Sequence, residues 1–195
     1  MAKSMSTQKI VTPSAESIAK SARAAQKGGL PPVHLWNPPH CGHIDMRIAR
    51  DGTWFYMGTP IGRPELVRLF STILRKDGDD YVLVTPVEKV GITVDDAPFV
   101  AVDFDVVEGA LVFETNVGDS VKAGPDHPIR VVRDTDTGEP SPYVHIRANL
   151  EALIDRKSFY RLVDIGEKAP HDGDEWFGVR SGGVFFPIVP ASDLD

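Results

Sequence analysis

Two rhythms of apolar and polar positions run through this chain, and they meet in Ile61–Lys89. Leu66, Leu69, Phe70 and Ile73 fall at helical spacing, with Val67 and Leu74 widening the stripe. Arg63-Pro64 suits a helix start, because the N–H that proline lacks would be unpaired there anyway. Asp77-Gly78-Asp79-Asp80 is expected to end the helix, and Tyr81–Thr85 reads as a strand limited by Pro86. Upstream, Ile44–Arg50 and Thr53–Met57 read as strands joined at Asp51-Gly52, a hairpin signal. Gly91–Val94 and Pro98–Val102 are expected to form a hairpin turning through Asp95-Asp96-Ala97. Phe104–Val107 pairs with Ala110–Thr115 through Glu108-Gly109, and Ile129–Arg133 and Tyr143–Ile146 flank a loop over Asp134–Pro140. Asn149 reads as the N-cap of a helix carrying Leu150, Leu153 and Ile154. Phe159–Ile165 reads as a strand, and Trp176–Val179 with Val184–Val189 as a closing hairpin. Before all of this, Pro13–Gln26 is helical by composition. Its one large apolar residue, Ile18, leaves it no wide face to bury, so it is expected to fray on the surface.

The second half echoes the first. Ile146–Lys168 matches Ile61–Lys89 with Leu150, Leu153 and Ile154 set against Leu66, Leu69 and Phe70. Tyr160, Leu162 and Val163 answer Tyr81, Leu83 and Val84, and Glu167-Lys168 answers Glu88-Lys89. The expected fold class is therefore α+β, with a duplicated strand–strand–helix–strand–hairpin unit forming two lobes. The expected divisions are an N-terminal arm over 1–32, a first lobe over 33–103 and a second over 104–195. Two packed lobes leave a seam, a favoured place for a ligand.

Composition narrows the function classes. Of 195 residues, 21 are Lys or Arg and 28 are Asp or Glu, a formal charge of -7. That lacks the basic field of a nucleic-acid binder. Cys41 is the single cysteine, so no internal disulfide forms. No apolar run approaches the ~20 residues of a membrane span, and the polar start, M-A-K-S-M-S-T-Q-K-I, lacks a secretory core. The expected location is the cytoplasm, with neither nucleic acid nor membrane as partner.

Candidate chemistry falls in two places. His34, His40, Cys41, His43 and Asp45 are metal-ligand types, and Cys41 beside imidazoles suggests a thiol nucleophile. Their spacing matches no established metal pattern, so no metal or cofactor is expected, and an enzyme built on His40–Asp45 is the alternative reading. The favoured residues lie at element ends. Trp54 and Tyr56 share a strand face that is free for stacking if Phe55 and Met57 fill the core. Arg63 marks a helix start, while Arg130 and Arg147 offer forked donors for phosphate or carboxylate. Glu88, Lys89 and Asp96 complete the ligand-binding set, and none of these residues is assigned a catalytic role. G-x-x-x-x-G-K-[ST], G-x-G-x-x-G and G-x-S-x-G are all absent.

The runs I-D-M-R-I-A-R-D-G-T-W-F-Y-M-G-T-P-I-G-R-P (44–64), L-F-S-T-I-L-R (69–75), V-T-P-V-E-K-V-G-I (84–92), D-D-A-P-F (95–99) and T-N-V-G-D (115–119) resemble the bacterial family of domain of unknown function (DUF) 1285. The likeness spans roughly residues 34 to 190. It implies a duplicated α+β core whose second lobe is like a pleckstrin-homology barrel. It also implies a nucleotide-like ligand between the lobes and a role in signal transduction, with a protein-docking module as a further alternative.

Overall fold

The computed structural model describes residues 12–194. Helix α1 (Ala15–Ala25) and a single 3₁₀ turn (Val33–Leu35) precede β1 (His40–Ile48), β2 (Trp54–Tyr56) and β3 (Thr59–Pro60). Helix α2 (Pro64–Thr72) leads into β4 (Leu74–Asp77), β5 (Asp80–Val84) and β6 (Lys89–Val94). The second half holds β7 (Phe99–Val107), β8 (Ala110–Thr115), β9 (Ser120–Lys122), β10 (Ile129–Arg133), β11 (Pro140–Arg147) and β12 (Leu150–Ile154). Helix α3 (Arg156–Asp164) and the strands β13 (Glu167–His171), β14 (Asp174–Ser181) and β15 (Val184–Pro190) follow. The protein is thus mixed α+β and mostly sheet, with one sheet curled into a half-barrel.

The two six-stranded sheets share a plan. The first runs β3-β2-β1-β6-β5-β4 and the second β10-β11-β12-β7-β8-β9. Each joins two antiparallel meanders through one parallel central pair, β1 with β6 and β12 with β7. The strands β13-β14-β15 form a separate sheet. One hydrophobic cluster runs through both halves, including Met46, Trp54, Phe70 and Leu83 in the first and Phe99, Phe113, Val144 and Leu150 in the second.

Several elements differ from the expectation. Leu150–Ile154 is strand β12, not a helix, and Asn149 sits in its preceding turn. Leu150, Ala152 and Ile154 are buried and alternate with half-buried Glu151 and Leu153. L-E-A-L-I satisfies a period of two as well as helical spacing, and a run this short cannot be told apart by pattern alone. Phe159–Ile165 is not a strand. Most of it lies in α3, whose N-cap Asp155 accepts a hydrogen bond from Ser158 N at 2.8 Å. The residue-by-residue match of Ile61–Lys89 with Ile146–Lys168 therefore sets helix against strand twice. Leu74–Asp77 belongs to β4 and pairs with β5 rather than extending α2. Gly91–Val94 and Pro98–Val102 do not pair, because β6 and β7 lie in different sheets and Asp95–Pro98 is the crossover between them. Helix α1 does not fray. Ile18 is fully buried, flanked by buried Ala15, Ala19 and Ala22, and small residues let α1 pack closely on α2.

Polar ties cross the seam between the halves. Arg147, at the end of β11, donates to Asp119 Oδ2 and to Ser71 O, both at 2.6 Å. Ser71 O is a last-turn carbonyl of α2, where the helix ladder runs out of donors. Arg68 Nε donates to Val117 O at 3.1 Å, and Asn149 Nδ2 to Lys76 O at 3.1 Å. Asn116 Nδ2 donates to Gly52 O at 3.3 Å, while its Oδ1 accepts from Val100 N at 3.0 Å. Gly52 has φ +88°, and a Cβ there would stand 2.7 Å from Asn116 Nδ2, so both conformation and space call for glycine.

Candidate interlobe cleft

A cleft of about 710 Å³ opens at this seam. Arg50 and Asp51 enter it from the β1–β2 turn of the first half. The second half supplies Val100 and Val102 of β7, residues 139–142 at the start of β11, Leu153 and Ile154 at the end of β12, and the first turn of α3 with Phe159 and Tyr160. The floor is apolar because outward-facing positions of β7 and β12 carry Val and Leu where a solvated sheet face would carry polar residues.

The charged rim has mostly been spoken for. Arg50 Nε donates to Asp96 Oδ2 at 2.9 Å, and Arg50 Nη2 to Ser141 Oγ at 3.0 Å. The other oxygen of Asp96 accepts from Tyr143 Oη at 2.7 Å. Burial, then this bond to an anion, pushes the Tyr143 hydroxyl up to about 12. Beyond Tyr143, Arg130 stacks on the ring at 4.5 Å and grips Glu151 with two bonds of 2.6 Å. Asp51 accepts from Thr53 N, and that bond holds its carboxyl below the usual carboxylate range. Asp155 caps α3. Arg156 makes a looser contact, 3.5 Å to Glu139, with the two side chains 76% and 67% exposed.

None of the eight residues expected to bind ligand lines this cleft, although Asp96 braces it through Arg50. Trp54 is 1% exposed and stacks on Phe70 at 6.2 Å, in the core rather than on a surface. The strand faces are the reverse of the expectation. Phe55 lies under Arg47 at 4.8 Å, and Met57 is 66% exposed in a turn at φ +53°. Tyr56 is half-buried and its hydroxyl accepts from Ala15 N of α1 at 3.4 Å. Arg63 is the exposed N-cap of α2. Lys89 bonds Asp77 at 3.1 Å beside Arg75, which donates to the carbonyls of Val33 and Trp36, both at 2.8 Å. These cations hold Asp77 down at about 2. Glu88 is half-buried, and burial raises its carboxyl. Asp96, Arg130 and Tyr143 are brought together, while Arg147 is engaged in the seam.

His40, Cys41, His43 and Asp45 spread along β1. The two imidazoles stand 5.9 Å apart, and Cys41 Sγ contacts Pro39 O at 3.5 Å. Among the described residues no group of three or more His, Cys, Asp or Glu gathers as metal ligands do. The cleft residues Glu139, Arg156 and Tyr160 escaped sequence reasoning. The available signal was Asp155-x-x-Ser158, a helix start that fixes where Arg156 and Tyr160 project.

Fold and site together define a two-domain α+β protein with an interdomain cleft. The chain belongs to the DUF1285 family: residues 31–97 match its N-terminal domain, a domain of unknown function, and residues 98–188 its C-terminal domain, of a protein of unknown function. The chain is similar to a DUF1285 family protein from Silicibacter pomeroyi DSS-3 whose crystal structure is known. Identity is 62% and the TM-score 0.82, over 91% of this chain and 97% of that one. It is also similar to one from Shewanella baltica OS155, at 30% identity and a TM-score of 0.50, over 61% of this chain and 90% of that one. No curated protein matches it.

Proposed function

We propose that this protein is a non-catalytic, cytoplasmic, ligand-binding protein of signal transduction, and that it holds a small molecule in the interlobe cleft. One observation carries the reading: a cleft of about 710 Å³, built mainly by the second half and bordered by Arg50 and Asp51 of the first, has an apolar floor and a few charged groups at its rim. Small-molecule sites have that size and lining. The ligand has an apolar or aromatic body and an anionic group that meets Arg156. A nucleotide-like molecule is one member of that class. Behind this we read a duplicated architecture in a different register from the sequence match, supported by the shared sheet plan in which β1-β2-β3 and β4-β5-β6 stand as β7-β8-β9 and β10-β11-β12 do. The second half, with its sheets and one helix, is the part read as pleckstrin-homology-like.

A thermal-shift panel of nucleoside monophosphates, aromatic carboxylates, α-amino acids and small anions tests the reading. A ligand at ~100 times its Kd adds about 2.7 kcal/mol of stability. The response must vanish in Leu153→Trp, which fills the floor. Stabilisation that survives this substitution, or none from any compound, refutes the cleft as the site. A protein-docking role is the second reading, favoured by exposed Val106 and Val107 at the tip of β7 and by exposed Tyr160 and Ile165 at α3. A pull-down that loses its partner on Val106→Asp, with no small molecule bound, would favour it.

A further inference from the structure

We propose that the cleft takes a free apolar α-amino acid, with the side chain on the floor and the charged end on the Arg156–Glu139 pair. This rests on the reading of the cleft as a small-molecule site. Most charged groups of the lining are already engaged. Arg50 is committed to Asp96 and Ser141, Asp51 to Thr53 N, and Asp155 to Ser158 N. That leaves Arg156 and Glu139, one cation and one anion joined by a single contact at 3.5 Å in largely exposed surroundings. Such a pair contributes little to stability and opens cheaply.

Charge then selects the ligand. Arg50 and Arg156 face three carboxylates, Asp51, Glu139 and Asp155, so the lining is net negative by one. A polyphosphate would meet that excess at close range, where each like-charge contact is unfavourable. A simple carboxylate would take Arg156 and leave Glu139 unpaired. An α-amino acid carries its ammonium and carboxylate about 3 Å apart, so it answers both members of the pair at once, the carboxylate on the guanidinium fork and the ammonium on Glu139. Its side chain then covers Val100, Val102, Leu153, Ile154 and Phe159, which no polar side chain could do without losing hydration.

Isothermal titration with L-phenylalanine as probe tests this, alongside N-acetyl-L-phenylalanine, L-phenylalaninamide, L-serine and adenosine monophosphate. The free amino acid is expected to bind at least tenfold more tightly than either blocked form, and L-serine not to register. Arg156→Gln should erase the advantage over the amide, and Glu139→Gln the advantage over the acetylated form. Both positions are exposed, so neither variant endangers folding. If both blocked forms bind as well as phenylalanine, the zwitterion match is wrong although the cleft still binds. If adenosine monophosphate binds in a Leu153→Trp-sensitive way and phenylalanine does not, the ligand class is wrong and the cleft reading stands. If no compound binds, the amino acid falls, and the wider panel decides the cleft.

Discussion

Replacing Arg147 by Met should uncouple the two halves measurably. The arginine stem and the methionine chain fill similar space, so the loss is mainly polar. Arg147 gives one charge-assisted bond to Ser71 O in a buried residue, one bond to Asp119, and a guanidinium 4.9 Å above the Phe99 ring. Leaving a buried carbonyl without a charged donor costs about 1.5–3 kcal/mol. The Asp119 pair, with both side chains a fifth to a quarter exposed, adds up to about 1 kcal/mol, and the ring contact about 0.5–1 kcal/mol. Methionine packing recovers part of this, so the net cost is about 2–4 kcal/mol. Urea unfolding followed by circular dichroism reads it directly. With a slope of about 2–3 kcal/mol per M, the midpoint falls by roughly 1 M or more. Tryptophan fluorescence adds a second readout, because Trp36 and Trp54 report the first half and Trp176 the last sheet. If the seam transmits stability, both probes shift together. A loss below about 0.5 kcal/mol, the size of an ordinary surface change, refutes the assignment of Arg147 as the clamp. Additive effects of Arg147→Met and Asp119→Asn in a double-mutant cycle would remove the Asp119 part of it.

Three further outcomes follow from the same reasoning. Ser181→Ala should cost about 1–3 kcal/mol in urea unfolding, because buried Ser181 Oγ accepts from Leu111 N at 2.8 Å and donates to Ala123 O at 2.7 Å, and both backbone groups lose their partner. Gly52→Ala should lower the melting temperature by a cost of more than about 1 kcal/mol, since it combines a left-handed backbone with a clash on Asn116. Asp77 carries the pH prediction. Its carboxyl titrates near 2 when folded against 3.8 when unfolded, so its contribution is complete above about pH 4 and is lost as pH falls through 2. With that side chain a third exposed, screening trims the contribution to about 1 kcal/mol. Asp77→Asn should lose that amount at pH 7 and show a flatter acid limb in denaturation between pH 4 and 2.

The first half was legible because its signals are long. Pro64 starts α2, Asp51-Gly52 turns β1 into β2, and Pro86 closes β5, each by local stereochemistry. The second half misled where segments are short. L-E-A-L-I fits both periods, and only its parallel pairing with β7 makes it a strand. Trp54 shows a different limit. Which face of a three-residue strand turns inward depends on what packs above it, and Phe70 of α2 lies on the Trp54 side. The eight expected ligand residues stand out in the sequence for their chemistry at element ends. Tertiary structure gave several of them partners instead, Asp77 for Lys89, Glu151 for Arg130 and Ser71 for Arg147. The cleft residues carry no motif because they meet only through the seam.

Arg50 joins the two sets of observations. It lines the cleft, and it is the first link of a chain that runs through Asp96, Tyr143 and Arg130 to Glu151 across the seam. A ligand group that drew Arg50 away from Asp96 would leave the Tyr143 hydroxyl as the main neutral partner of that carboxylate. Asp96 sits in the crossover that joins β6 to β7, the one covalent passage between the six-stranded sheets. The charge change would therefore fall on the segment that connects the halves, while Arg147 holds them together elsewhere. If the cleft holds the proposed ligand, the Arg50 guanidinium stands between that ligand and the crossover. That makes Arg50→Gln a substitution whose effect on ligand response can be separated from its small effect on stability, because the 62% exposed arginine side chain packs little against the fold.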